Sequence, residues 1–151
     1  MAHRTAGFTL IEVLVALVVL AVGMLGVAVL FVEGLQLNRT SMYRANAVAL
    51  ATDMAGRIRA NQDINAGYAG AGPGGPGNCN VGPGCTPAEL AGDDWFNWRT
   101  TLDANLPTGY VATINEVPAG PGGLMRRFDI NLSWSEVGSP DPVTYTLTVQ
   151  L

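Results

Sequence analysis

The sequence has no lysine, one histidine (His3), two cysteines, and no proline before Pro73. Only 13% of its 151 residues are charged, and its 12 acids outnumber its 8 bases, all of them arginine, for a net charge of −4. That sign is opposite to a nucleic-acid-binding footprint, which excludes non-specific DNA or RNA binding. A nucleotide-binding glycine loop is excluded too, because no lysine follows a glycine-rich run and no G-x-G-x-x-G stands between a strand and a helix. The two cysteines lack C-x-x-C spacing and have no further cysteines beside them, so they make neither a redox motif nor a metal set. No cofactor is expected. The 48% apolar content excludes disorder as the overall state, and the length allows one modest domain.

With so few charges, a mean hydropathy of +0.25 means that one segment is far more apolar than the rest. It is residues 8–32, FTLIEVLVALVVLAVGMLGVAVLFV. As a helix this run would be about 37 Å long, enough to cross a hydrocarbon core of about 30 Å. His3, Arg4 and the chain amine precede it, so the positive-inside rule places the N-terminus in the cytoplasm and sends everything after Val32 outward. A cleavable secretory signal does not fit: the run is too long and leads through Phe31-Val32-Glu33 without a small-x-small site. A plain anchor fits length and flanks but leaves Glu12 unexplained, since a carboxylate in a membrane helix costs about 2.5–3.5 kcal/mol on insertion scales. One reading is that Glu12 lies near the lipid surface, about 6 Å along the helix from Phe8, and draws water or headgroups toward itself.

The other reading comes from the string Ala6-Gly7-Phe8-Thr9-Leu10-Ile11-Glu12-Val13-Leu14-Val15-Ala16-Leu17. It resembles the class III signal of type IV prepilins and type II secretion pseudopilins: a short basic leader ending in glycine, an aromatic, an acid at the fifth mature position, and a long apolar helix. The resemblance implies that residues 1–7 are a leader, that prepilin peptidase cuts between Gly7 and Phe8, and that the new amino group of Phe8 is methylated. It also gives Glu12 a partner in a filament, the N-terminal amine of an adjacent subunit, which relieves the cost of burying the carboxylate. His3 would be lost with the leader, which removes histidine catalysis.

The absence of proline before Pro73 suits one helix over about 8–61, with Gly23, Gly26 and Gly34 as packing or flexing positions. Residues 8–32 would be its transmembrane and filament-core part and 33–62 its amphipathic continuation. There Ala47, Leu50, Met54 and Ile58 recur at helical spacing, with Arg44, Asp53, Arg57 and Arg59 elsewhere, so one face is free to carry a folded head. Residues 63–92 read as a glycine- and proline-rich loop, eight Gly and three Pro falling within 66–85. Cys79 and Cys85 lie in it, and on the oxidising outer side of a bacterial inner membrane they are expected to close a small disulfide loop.

Residues 93–151 would form the head. Trp95, Trp98, Leu102 and Leu106 share a helical face, with Asp93 or Asp94 as the cap and Pro107 as the stop. Strand patterns follow at 109–117, 126–136 and 143–150, where Phe128, Ile130, Leu132 and Trp134 alternate on one strand and Val143, Tyr145, Leu147 and Val149 on the next. Arg126 and Arg127 read as a solvated strand end. The expected fold is α+β and type IV pilin-like: a long N-terminal helix, one short helix and a three- to four-stranded antiparallel sheet.

Residues 51–61 and the spacing of Trp98, Leu102, Leu106-Pro107 and Gly109 are also similar to minor pilins of the PilV kind (type IV pilus modification protein). That resemblance implies a structural subunit priming or tipping a type IV pilus. Its partners would be prepilin peptidase, the major pilin, other minor pilins, the inner-membrane assembly platform and, as a further candidate, a tip adhesin. The chain would reside in the inner membrane with its head periplasmic, then on the cell surface in the fibre. A minor pseudopilin of a type II secretion system is the alternative. A signal-anchored enzyme is a third, although the head shows no nucleophile with a base, no paired-carboxylate cleft and no metal set.

Overall fold

A computed structural model describes residues 7–63, 66–72, 75, 79, 84–117 and 125–151. Its elements are α1 (Leu10–Ala60), α2 (Pro87–Asn105), β1 (Val111–Val117), β2 (Arg127–Trp134) and β3 (Val143–Gln150). The chain divides into two compact units, Met1–Arg39 and Thr40–Leu151.

In the first unit, α1 begins after the non-helical Gly7, Phe8 and Thr9, and every described residue is exposed. The Thr9 carbonyl accepts the first helical bonds, from the Glu12 and Val13 amides. With no proline to interrupt the ladder, α1 runs unbroken through Gly23, Gly26 and Gly34. It is long and apolar enough to cross a membrane.

The second unit packs the rest of α1 and α2 with a three-stranded antiparallel sheet of order β1-β2-β3. The expected stripe is in the core: Ala47, Leu50, Met54 and Ile58 are all buried, joined by Ala51 and Ala55. Opposite them are Trp95, Trp98 and Leu102 of α2 and the inward row Phe128, Ile130, Leu132 and Trp134 of the central strand. Each large apolar side chain so buried contributes about 1.5–3 kcal/mol. The Trp95 and Trp98 rings meet edge to face, 5.2 Å between centroids. Both indole N–H groups are satisfied: Trp98 Nε1 donates to the Leu50 carbonyl at 2.8 Å and Trp95 Nε1 to the Tyr68 carbonyl at 3.0 Å. The register pairs Ile114 with Ile130 and Ile130 with Leu147, which keeps the inward rows aligned.

The architecture is the α+β, type IV pilin-like one expected, with differences in detail, one of them that β1 starts at Val111 where 109 was expected. α2 starts at Pro87, six residues before the expected Asp93 or Asp94 cap, so the segment 63–92 is not loop throughout. The cause is local: Thr86 is the N-cap, its hydroxyl accepts from the Glu89 amide, the Glu89 carboxylate accepts from the Thr86 amide, and a proline stands in the first turn. α1 spans Leu10–Ala60 where 8–61 was expected. β2 ends at Trp134, and Glu136, expected in the strand, lies beyond it and pairs with Arg44. Among the described residues the sheet has three strands, and Gly70 of the glycine-rich stretch adds an isolated bridge to Ile114 of β1.

Candidate functional site

Two regions carry the residues singled out in the sequence. In the first, Gly7, Phe8 and Thr9 stand exposed ahead of the helix, so the Gly7–Phe8 peptide bond lies outside the α1 hydrogen-bond ladder. A Cβ built on Gly7 meets nothing within 4 Å, so the chain itself places no steric demand on glycine there. Glu12 falls in the first turn of α1. An acid in that turn lies at the positive end of the helix dipole, the end that favours negative charge. From Val13 to Val32 the helix presents apolar side chains on every side, and all are exposed in the single chain. A helix apolar all round requires an apolar surrounding, either lipid or other helices.

The second region joins the end of α1, the glycine-rich stretch and α2. Asp94 accepts from the Tyr68 hydroxyl at 2.6 Å and from Arg57 Nη1 at 2.9 Å, while Arg57 Nε donates to Asp53 at 2.9 Å. Asn61 Nδ2 donates to the Pro87 carbonyl at 2.8 Å and to the Tyr68 hydroxyl at 3.3 Å. Burial and then the bond to Asp94 push the Tyr68 phenol well above its usual range, so it stays a donor. Burial works against the charge on Arg57, but its bonds to Asp53 and Asp94 outweigh that and raise its pKa. Tyr68 itself is buried. These contacts tie the glycine-rich stretch down at its start, and the Thr86–Glu89 capping box fixes its end. Between them Cys79 and Cys85 are joined, with S–S 2.04 Å and Cα–Cα 5.4 Å.

Gly72 crosses the Trp95 ring so closely that a Cβ there would lie 2.5 Å from a ring carbon, and its φ is +86°. Arg99 donates to the Ala71 carbonyl and lies over the same ring, 6.0 Å from its centroid. Arg126 and Arg127, read as a solvated strand end, pair with Glu116 and Asp129 respectively.

The sequence reading missed Tyr68, Asp94 and Glu136 as structural polar groups. A tyrosine alone in a run of glycine and alanine was an available signal, because so large a side chain in such a stretch needs a place to pack. Nothing in the spacing connected Asp94 to Arg57, 37 residues apart. The segments used for the narrower resemblance are head-building parts: Ile58, Trp98 and Leu102 are in the core and Asn61 bonds across to α2. Among the described residues no group of three or more His, Cys, Asp or Glu could hold a metal ion.

The prokaryotic N-terminal methylation motif matches residues 2–28. No curated protein and no solved structure matches the chain. This motif supports a type IV pilin or pseudopilin, a substrate of prepilin peptidase, and points to a structural protein. With the N-terminal apolar helix, it fits a membrane-anchored chain of that kind.

Proposed function

We propose that the chain is a minor pilin: a structural subunit cut by prepilin peptidase between Gly7 and Phe8, methylated on Phe8, and drawn by α1 from the inner membrane into a type IV pilus. The observation that carries the reading is the methylation motif over residues 2–28 continuing into an exposed, apolar helix with one acid, Glu12, in its first turn. In the membrane the part of α1 up to Val32 is surrounded by lipid, with the N-terminus cytoplasmic and the head periplasmic. In the fibre neighbouring helices replace lipid, and the Glu12 carboxylate pairs with the methylated amine of an adjacent Phe8, so that burial leaves neither charge alone. Its partners are prepilin peptidase, the inner-membrane assembly platform, the major pilin and other minor pilins, with the fibre displaying the Cys79–Cys85 loop outside the cell.

Two variants of the full chain test the steps separately. Gly7→Trp should leave the leader in place, because position 7 is open in the chain and only the fit to the peptidase is lost; a normal mature mass contradicts cleavage there. Glu12→Ala should be processed but scarce in sheared fibres, and wild-type abundance contradicts the amine pairing. Co-purification with pilus subunits, as opposed to secretion-channel components, separates the minor pilin from the minor pseudopilin of a type II secretion system.

A further inference from the structure

The two edges of the sheet are treated differently. Along β1 the outer edge is engaged by Gly70, whose amide donates to the Ile114 carbonyl at 2.7 Å and whose carbonyl accepts from the Ile114 amide at 2.8 Å. Along β3, Val143–Gln150, no strand pairs on the far side from β2 among the described residues. Edge strands of monomeric proteins are ordinarily blunted by charge, proline, a bulge or shortness. β3 has none of these: it is eight residues long, VTYTLTVQ, free of charge and proline, and paired without a break to β2 from Arg127↔Gln150 to Trp134↔Val143. Its inward side chains Val143, Tyr145 and Leu147 are only partly covered, although they pack against the core.

The row of outward residues is uniform. Thr144, Thr146 and Thr148 are all exposed and donate to Ser133, Asn131 and Asp129 of β2. An unpaired edge of this kind is recognised by another extended strand, through backbone hydrogen bonds and alternate side chains. The strand that fits this one is itself. Antiparallel pairing of two copies about Thr146 sets Tyr145 against Leu147 and Val143 against Val149 on the inward side, and Thr144 against Thr148 on the outward side. From Val143 to Val149 apolar thus meets apolar and threonine meets threonine, and no charge opposes a like charge; Gln150 falls opposite Pro142, where the paired stretch ends.

We propose that β3 is a self-recognition edge: two copies of this chain join antiparallel through Val143–Val149, centred on Thr146, merging their sheets into one. Two chains held in one membrane by α1 would meet at high effective concentration, so a modest edge interaction suffices. The pairing stands whether or not the chain enters a fibre.

Cysteine substitution in the full chain, kept in its membrane and mildly oxidised, tests the geometry. Directly opposed residues of an antiparallel pair have Cα atoms about 4.5–5.5 Å apart, within disulfide reach. T146C should therefore cross-link to a covalent dimer. T144C alone and T148C alone should not, since each is about 13 Å from its own copy across this register, whereas T144C and T148C expressed together should. Hydrogen exchange on the unsubstituted chain in membranes supplies a reading independent of the variants: β3 amides should be protected throughout, not at alternate residues. Equal cross-linking at all three positions, the mark of dimers formed through α1, overturns the proposal. So does the absence of cross-linking at T146C with β3 protected, the mark of a foreign strand on the edge, or with alternate amides exchanging freely, the mark of an open one.

Discussion

Gly72 and Glu136 show how single residues set the head. At Gly72 both tests of a required glycine coincide, a positive φ and a Cβ position already filled by the Trp95 ring. Trp95 is wedged in the core and cannot yield, so Gly72→Ala should destabilise the head by about 1–3 kcal/mol, measured as a lower Tm with the fold retained. Glu136 accepts from Arg44 at both oxygens, 3.1 and 2.8 Å, and from Trp134 Nε1 at 3.1 Å. The hydrogen bond from Arg44 is the largest cause holding its carboxyl below the ordinary 4.5; burial opposes it and the Trp134 bond adds to it. A carboxyl with a depressed folded-state pKa contributes stability above its unfolded value and loses it as pH falls through the folded one. The stability difference between wild type and Glu136→Gln should therefore be full near pH 7 and shrink as pH falls below about 4.5, read by thermal melts across that range.

Among the elements, α1 and the strands were legible in the sequence and the start of α2 was not. Helical spacing of Ala47, Leu50, Met54 and Ile58, and alternation over 128–134 and 143–149, reflect burial on one face, and burial is what the core imposes. A helix start depends instead on a few polar atoms. Thr86-Pro87-Ala88-Glu89 carries that signal, but at the end of a glycine-rich run, where Asp93 and Asp94 stand nearer the apolar periodicity of the helix. Those aspartates had other uses: Asp94 anchors Tyr68 and Arg57, and Asp93 accepts from Asn97. Thr86→Ala should cost about 1 kcal/mol and speed amide exchange in the first turn of α2, while Asp93→Ala should leave that turn's exchange unchanged. The anchoring of Tyr68 was illegible for a different reason, because its partners come from two helices that only the tertiary fold brings together.

At the scale of the molecule the chain carries two surfaces of opposite kind. From Leu10 to Arg39 it is one helix whose apolar residues are all exposed; from Thr40 onward it has a core of its own. The second unit has a core to hold it, whereas the apolar residues of the first are exposed along its described length, so in the proposed function its meaning lies in what it meets: lipid in the membrane and the helices of a fibre. The candidate site at the N-terminus is a linear pattern, Gly7, Phe8 and Glu12 lying within six residues inside the motif matched over 2–28, so it needs no tertiary contact to be legible in the sequence. That proposal stands or falls on the chemistry at Phe8. The most direct test is the mass of the N-terminal peptide from the chain recovered from its native membrane. A peptide beginning at Phe8 and bearing one methyl group is expected; a chain still beginning before Gly7, or cut elsewhere and unmethylated, contradicts it.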